Sequence, residues 1–128
     1  MVVRRLQWKA AAVPEQVRSL RRMVATAAVE MGLDPGRIDH LQLALSEALS
    51  NIVLHAYGAA GGEMRVDLER DEDELRVVIC DDGPGLGARP VTPGLGLGLG
   101  IVATASDRCE IATQPETGTR LTLVYDLG

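Results

Sequence analysis

Ile38, Leu41, Leu45, Ala48, Leu49 and Ile52 recur at three- and four-residue spacing, which gathers them into one apolar stripe along an α-helix. A helix with a single stripe must lie on an apolar surface made by the rest of the chain, so this stretch rules out an isolated helix or a polar array. Asp34 followed by Pro35 marks its start, an N-cap and then a residue suited to the first turn. The pattern runs to about Ala56, and the glycines between Gly58 and Gly62 break it. Beside the stripe stand Glu47 and Asn51, i and i+4, projecting from the same face. A carboxylate there could serve as a general base, and an amide oxygen is a hard ligand suited to Mg²⁺. Two solvent-facing polar residues would read the same way, so the pair alone decides nothing.

The surface beneath that stripe is legible on both sides of it. Leu6, Trp8 and Ala10 alternate with Gln7 and Lys9 as an opening strand. Pro14 then starts a helix with Val17, Leu20, Val24, Ala27, Ala28 and Met31 inward, and Gly32 ends it. Its other face carries Arg18, Arg21 and Arg22. Further on, Met64, Val66 and Leu68 alternate as a strand. The acidic turn Asp71-Glu72-Asp73-Glu74 joins that strand to another at Leu75 to Cys80. A short helix is expected from about Gly100 to Ser106. Two strands follow, Cys109 to Thr113 and Thr119 to Leu127, with Leu121, Leu123 and Tyr125 on one face of the second. Strands in runs with helices between them predict an α+β two-layer sandwich, a mixed β-sheet covered on one face by helices. The 128 residues suffice for one domain, 1–128, with one core. Aromatics make up only 2% and Phe is absent, so Leu, Val, Ile and Ala must fill that core.

Bulk properties exclude some functions. A net charge of −5 argues against a nucleic-acid surface, which needs a basic stripe. No run of 18 apolar residues occurs, so no membrane-spanning helix is expected. Cys80 and Cys109 lack metal-binding or redox spacing and read as buried thiols in a reducing, cytoplasmic setting.

Three further motifs bear on chemistry. Asp81-Asp82-Gly83-Pro84-Gly85 follows directly on the apolar strand, so one carboxylate could read a ligand while glycine lets backbone pass close to it. The run Gly94-Leu95-Gly96-Leu97-Gly98-Leu99-Gly100 suits neither helix nor strand. Placed before a helix, it offers free N–H groups to phosphates. It is not a P-loop, because no Gly-Lys-Ser/Thr follows, and it is not a Rossmann turn, because no strand immediately precedes it. Gly118-Thr119 opens the last strand and by itself is only a turn.

Taken in order, Glu47/Asn51, Asp81/Gly83/Gly85, Gly94/Gly96/Gly98/Gly100 and Gly118/Thr119 resemble the Bergerat-type ATP-binding fold of DNA gyrase B, MutL and histidine kinases. The wording SEALSNIVLHAYG and the short chain resemble, within that group, the anti-sigma factor serine kinases of the RsbW/SpoIIAB type. The resemblance implies ATP and Mg²⁺ as cofactors, Glu47 as catalytic base, Asn51 on the metal and Asp81 on the adenine amino group. It also implies that Thr119 supports the adenine pocket and that the Gly94–Gly100 loop wraps the phosphates. Partners implied are a sigma factor and an anti-anti-sigma antagonist phosphorylated on serine, gripped by an arginine among Arg18, Arg21 and Arg22, with the kinase a homodimer. Two functional classes stay open. One is a kinase that also sequesters a sigma factor, with a related switch kinase of a stress-signalling complex as a variant. The other is an ATP-dependent binding module without significant turnover, to which the short Leu86–Pro93 connection points.

Overall fold

The computed structural model describes residues 2–57, 61–83, 106–114 and 118–127. Strand β1 (Arg4–Ala11) leads into helix α1 (Pro14–Glu30), a 3₁₀ turn at Pro35–Arg37, helix α2 (Ile38–Asn51) and a π-helical turn at Ile52–Ala56. Strands β2 (Glu63–Arg70), β3 (Glu74–Asp81), β4 (Arg108–Gln114) and β5 (Gly118–Asp126) complete the described elements. The sheet runs β1-β2-β3-β5-β4. The helices cover one of its faces, as the α+β sandwich requires.

Among the described residues the sheet is not mixed, contrary to expectation. Every pairing among the described residues is antiparallel. Strands β3 and β4 do run in the same direction, but β5 lies between them and pairs antiparallel with both. The register carries apolar rows across the helix-facing side: Leu6, Leu68, Val77 and Leu123 form one, and Trp8, Val66, Ile79 and Leu121 the next. Onto these rows pack Leu20, Val24 and Ala28 of α1 and Leu41, Leu45 and Leu49 of α2, all fully buried. Each such leucine contributes about 1.5–3 kcal/mol by leaving water. Trp8 packs only partly against this core, and Tyr125 is the fully buried aromatic.

The opposite face stays polar. Gln7 Nε2 donates to Asp67 at 2.6 Å, and Arg5 and Arg65 stand 3.8 and 3.7 Å from the same carboxylate. Arg76 reaches Glu69, Asp71 and Glu74 at 3.2–3.4 Å, and Arg108 also pairs with Glu74. Long arginine stems lying over the sheet leave Val78 and Val124 on this face at 2% and 7% exposure.

The helix ends show why the chain turns where it does. Gly32, at φ +106°, donates its N–H to Val29 O, and Leu33 donates to Ala28 O. This is a Schellman arrangement, and Arg70 Nη1 adds a 2.6 Å bond to Met31 O. The second helix departs from the regular α-helix expected between Asp34 and about Ala56. Its entry is a 3₁₀ turn: Asp34 Oδ1 accepts from Gly36 N, and Arg37 N donates to Asp34 O. Arg37 is drawn sideways, donating to both carboxylate oxygens of Asp107 at 2.9 and 3.3 Å while stacking 4.9 Å above the Tyr125 ring. Past Asn51 the helix widens into the π turn, which takes one more residue into each hydrogen-bonded ring. There the chain leaves for the sheet, extended at Tyr57. Cys80 is buried as expected, whereas Cys109, on edge strand β4, is only partly so. The expected helix near Gly100 lies outside the described residues, apart from Ser106, which is not helical.

The Asp107 carboxyl is held below its usual range, first by the hydrogen bond from Arg37 and then by the Asp126 amide. A depressed acid stabilises the fold while ionised. That contribution is complete above the unfolded value near ~4 and is lost as pH falls through the folded one. Asp107→Asn should therefore lower the urea midpoint at neutral pH and flatten its decline below about pH 4. An acid limb identical to wild type would contradict this role for the Arg37–Asp107 pair.

Candidate functional site

Strand β3 is apolar from Val77 to Cys80, and its alternation turns the next residue, Asp81, back to the helix-facing side opposite Met64. Asp81 is only 4% exposed. Its Oδ1 accepts from Gly83 N–H at 3.0 Å, with Gly83 itself buried, and the Thr119 N–H of β5 also serves the carboxylate. Burial pushes the Asp81 carboxyl up; the two amides oppose it, and neighbouring Asp82 adds to the rise. A desolvated carboxylate in this position favours a ligand that donates to it.

Gly118 shows why the last strand opens with glycine. Its φ is +90°, a region that side chains disfavour. A Cβ built on it would lie 2.0 Å from Asp81 O and 2.7 Å from Asp81 Oδ1. The two strand ends therefore meet backbone to backbone, and any larger residue would push β5 away from Asp81. Next to it, Thr119 Oγ1 is buried and finds no hydrogen-bond partner among the described residues. On the opposite, polar face of the sheet, the row Arg65, Cys80, Arg120 and Ala112 lines a cavity of about 240 Å³ that borders the same strand ends from behind.

Glu47 and Asn51 sit on α2 as expected, both half-buried beside the core stripe. At about 100° of rotation per residue they occupy the flank of α2 next to Ala44 and Ala48, and Ser46 and Ser50 occupy the other flank. That second flank meets α1: Arg21 Nη1 donates to Ser46 Oγ at 3.0 Å. Arg18 and Arg21 line a cavity of about 360 Å³ there with Ser46, Ser50, Val53 and Leu54. Arg22 is exposed and does not line it. Gly85, Gly94, Gly96, Gly98 and Gly100 lie outside the described residues. Among the described residues no three His, Cys, Asp or Glu side chains gather as a metal cage, and no helix is long and apolar enough to cross a membrane.

Sequence reasoning overlooked Tyr57. Its hydroxyl donates to Glu63 O at 2.6 Å and accepts from Asp82 N–H at 2.9 Å, joining the end of the α2 segment to the Asp81 end of β3. The available signal was its rarity, one aromatic among three in the chain, directly after the helix that carries Glu47 and Asn51. Gly62 belongs with it, since a Cβ there would lie 2.1 Å from the Tyr57 ring.

The model of the histidine kinase-like ATPase domain matches residues 10–125. The chain belongs to that family. Its relatives include proteins named serine-protein kinase RsbW and anti-sigma F factor. The serine-protein kinase RsbW of Bacillus licheniformis is 30% identical, over 92% of this chain and 82% of its own length. The RsbW of Bacillus subtilis strain 168 is 31% identical over 88% and 79%, and the anti-sigma F factor of Clostridium beijerinckii is 29% identical over 78% and 80%. Among solved structures, the RsbU and RsbW domains of Rv1364c from Mycobacterium tuberculosis share the fold, with a TM-score of 0.70 and 22% identity. That match covers 96% of this chain and 32% of the other. These likenesses bear out the Bergerat fold and the RsbW-type family expected from the motif order.

Because burial raises the folded pKa of Asp81, its charge costs stability in the ligand-free protein. Stability rises as pH falls through the raised folded value toward the unfolded one near ~4. Asp81→Asn should melt at or above the wild-type temperature at pH 7 and lose that part of the pH dependence. A large drop in melting temperature would show instead that the carboxylate holds the fold.

Proposed function

We propose that this protein binds ATP with Mg²⁺ at the Asp81–Thr119 end of the sheet, sequesters a sigma factor, and phosphorylates a serine of an anti-anti-sigma antagonist. The observation that carries the nucleotide assignment is the Asp81–Gly118–Thr119 arrangement. It combines a buried carboxylate oriented by two amides, a backbone cradle that a Cβ would fill, and a buried hydroxyl without a partner among the described residues. An exocyclic amine donates to such a carboxylate, and a ring nitrogen accepts from such a hydroxyl, as adenine requires. Guanine would set a carbonyl oxygen against the carboxylate, acceptor against acceptor.

Asn51 would hold Mg²⁺ through its amide oxygen, and the ion would supply charge neutralisation on the phosphates. Mg²⁺ is ordinarily bound through one or two protein ligands, waters and phosphates, so a cage of carboxylates is not required. The Gly94–Gly100 run would contribute amide N–H groups to the same anion. Glu47, one turn before Asn51, would take the proton from the incoming serine hydroxyl. Phosphoryl transfer depends mostly on positioning and charge stabilisation, which suits a site with few reactive side chains. On the other flank of α2, the groove with Arg18 and Arg21, together with exposed Arg22, fits an acidic partner surface. The serine-protein kinase and anti-sigma names of the relatives support this reading, and a homodimer is part of it.

Purified protein incubated with MgATP and the antagonist captured from its host should transfer phosphate to serine. Glu47→Ala should slow that transfer about 10²–10⁴-fold with ATP affinity nearly unchanged. Phosphotransfer at the wild-type rate in this variant would sink the assigned role. Capture of partners that depend on ATP but never carry phosphate would favour a binding module without turnover.

A further inference from the structure

The peptide group joining Asp81 to Asp82 is gripped on both edges. On its carbonyl side, Asp81 O lies where a Cβ of Gly118 would be, 2.0 Å from that position, so the carbonyl packs against the bare Cα. On its amide side, Asp82 N–H donates to the Tyr57 hydroxyl at 2.9 Å. The hydroxyl cannot drift, because its own proton is committed to Glu63 O at 2.6 Å at the start of β2. A phenol does both only while neutral, and burial raises its pKa further above neutrality. The ring is seated over Gly62, where no side chain intrudes.

We propose that Tyr57 is a positioning residue for base selection: by fixing the Asp81–Asp82 peptide it sets the angle at which the Asp81 carboxylate meets the nucleotide base. The proposal rests on Asp81 reading the base, as argued above. The geometry gives Tyr57 this role rather than a general structural one, for three reasons. Its bonds go to backbone groups at the start of β2 and just past the end of β3, at the site end of the sheet. One of them is the amide directly following the base-reading residue. The residue also ends the segment that carries Asn51, so one hydroxyl ties the α2 side of the site to the β3 side. Without the Tyr57 bond the amide edge of this peptide loses its side-chain anchor, and a carboxylate that tilts with it, even while held by the Gly83 and Thr119 amides, distinguishes an amine from a carbonyl less well.

The test uses the full chain and its Tyr57→Phe variant, titrated calorimetrically with MgATP and with MgGTP. The variant should lose about tenfold in MgATP affinity, some 1.4 kcal/mol. MgGTP affinity should change less than about threefold, so that the preference collapses. Amide hydrogen exchange at Asp82 should accelerate at the same time. Gly62→Ala reaches the hydroxyl from the other side, by displacing the ring. It should narrow the preference in the same way, which keeps the idea testable if the Phe variant folds poorly. A merely structural tyrosine would weaken both nucleotides equally. Equal losses, or an unchanged ATP-to-GTP ratio in both variants, would overturn the proposal while leaving the ATP reading intact. A wild-type chain that binds neither nucleotide would overturn the ATP reading itself, and the role of Tyr57 with it.

Discussion

The layer between the two helices and the sheet is where the rest of the molecule takes its bearings. It is filled by aliphatic side chains from both sides, with Tyr125 the fully buried aromatic. Aliphatic layers of this kind tolerate volume-conserving exchange but penalise any loss of fit. They hold α2 by one stripe only, so the helix presents two polar flanks on either side of its buried line. Glu47 and Asn51 use one flank, and Ser46 and Ser50 use the other, toward Arg18 and Arg21. The division of α2 into these two polar flanks follows from how it is seated.

Around that layer, polar side chains fix the positions that packing alone leaves loose. Arg37 bolts the entrance of α2 to Asp107 at the start of β4, and Arg70 caps the exit of α1. Tyr57 closes the exit of the α2 segment onto β2 and β3. The polar termini of both helices thus end on the sheet, so the helix flanks keep a constant relation to the strand ends that form the site.

The site itself trades stability for chemistry. Asp81 is buried with its carboxyl raised, and Thr119 hides a hydroxyl without a partner among the described residues. Each of these costs free energy in an empty protein, and a ligand that donates to the carboxylate and accepts from the hydroxyl would recover it. Such costs cluster where function demands them.

Much of this was open to reading in the chain. The stripe on α2, the alternation in β2, β3 and β5, the Gly32 stop and the acidic hairpin are local periodicities and turn chemistries, and they form as read. The motif order likewise sufficed for the family, because each motif is a short run of residues with its own backbone demand. Hidden from the sequence were the fully antiparallel pairing, the π turn, the near-contact of Gly118 with Asp81, and the Tyr57 and Arg37 bridges. Arg37 and Asp107 stand 70 residues apart and Tyr57 and Asp82 stand 25 apart. Links over such separations depend on strand register and on where the helices come to rest, which no local pattern encodes. The residue types and their spacing thus determined which chemistry the chain could hold. Only the tertiary packing decided which of those groups meet, because the distances between them are set by a core that involves almost every element at once.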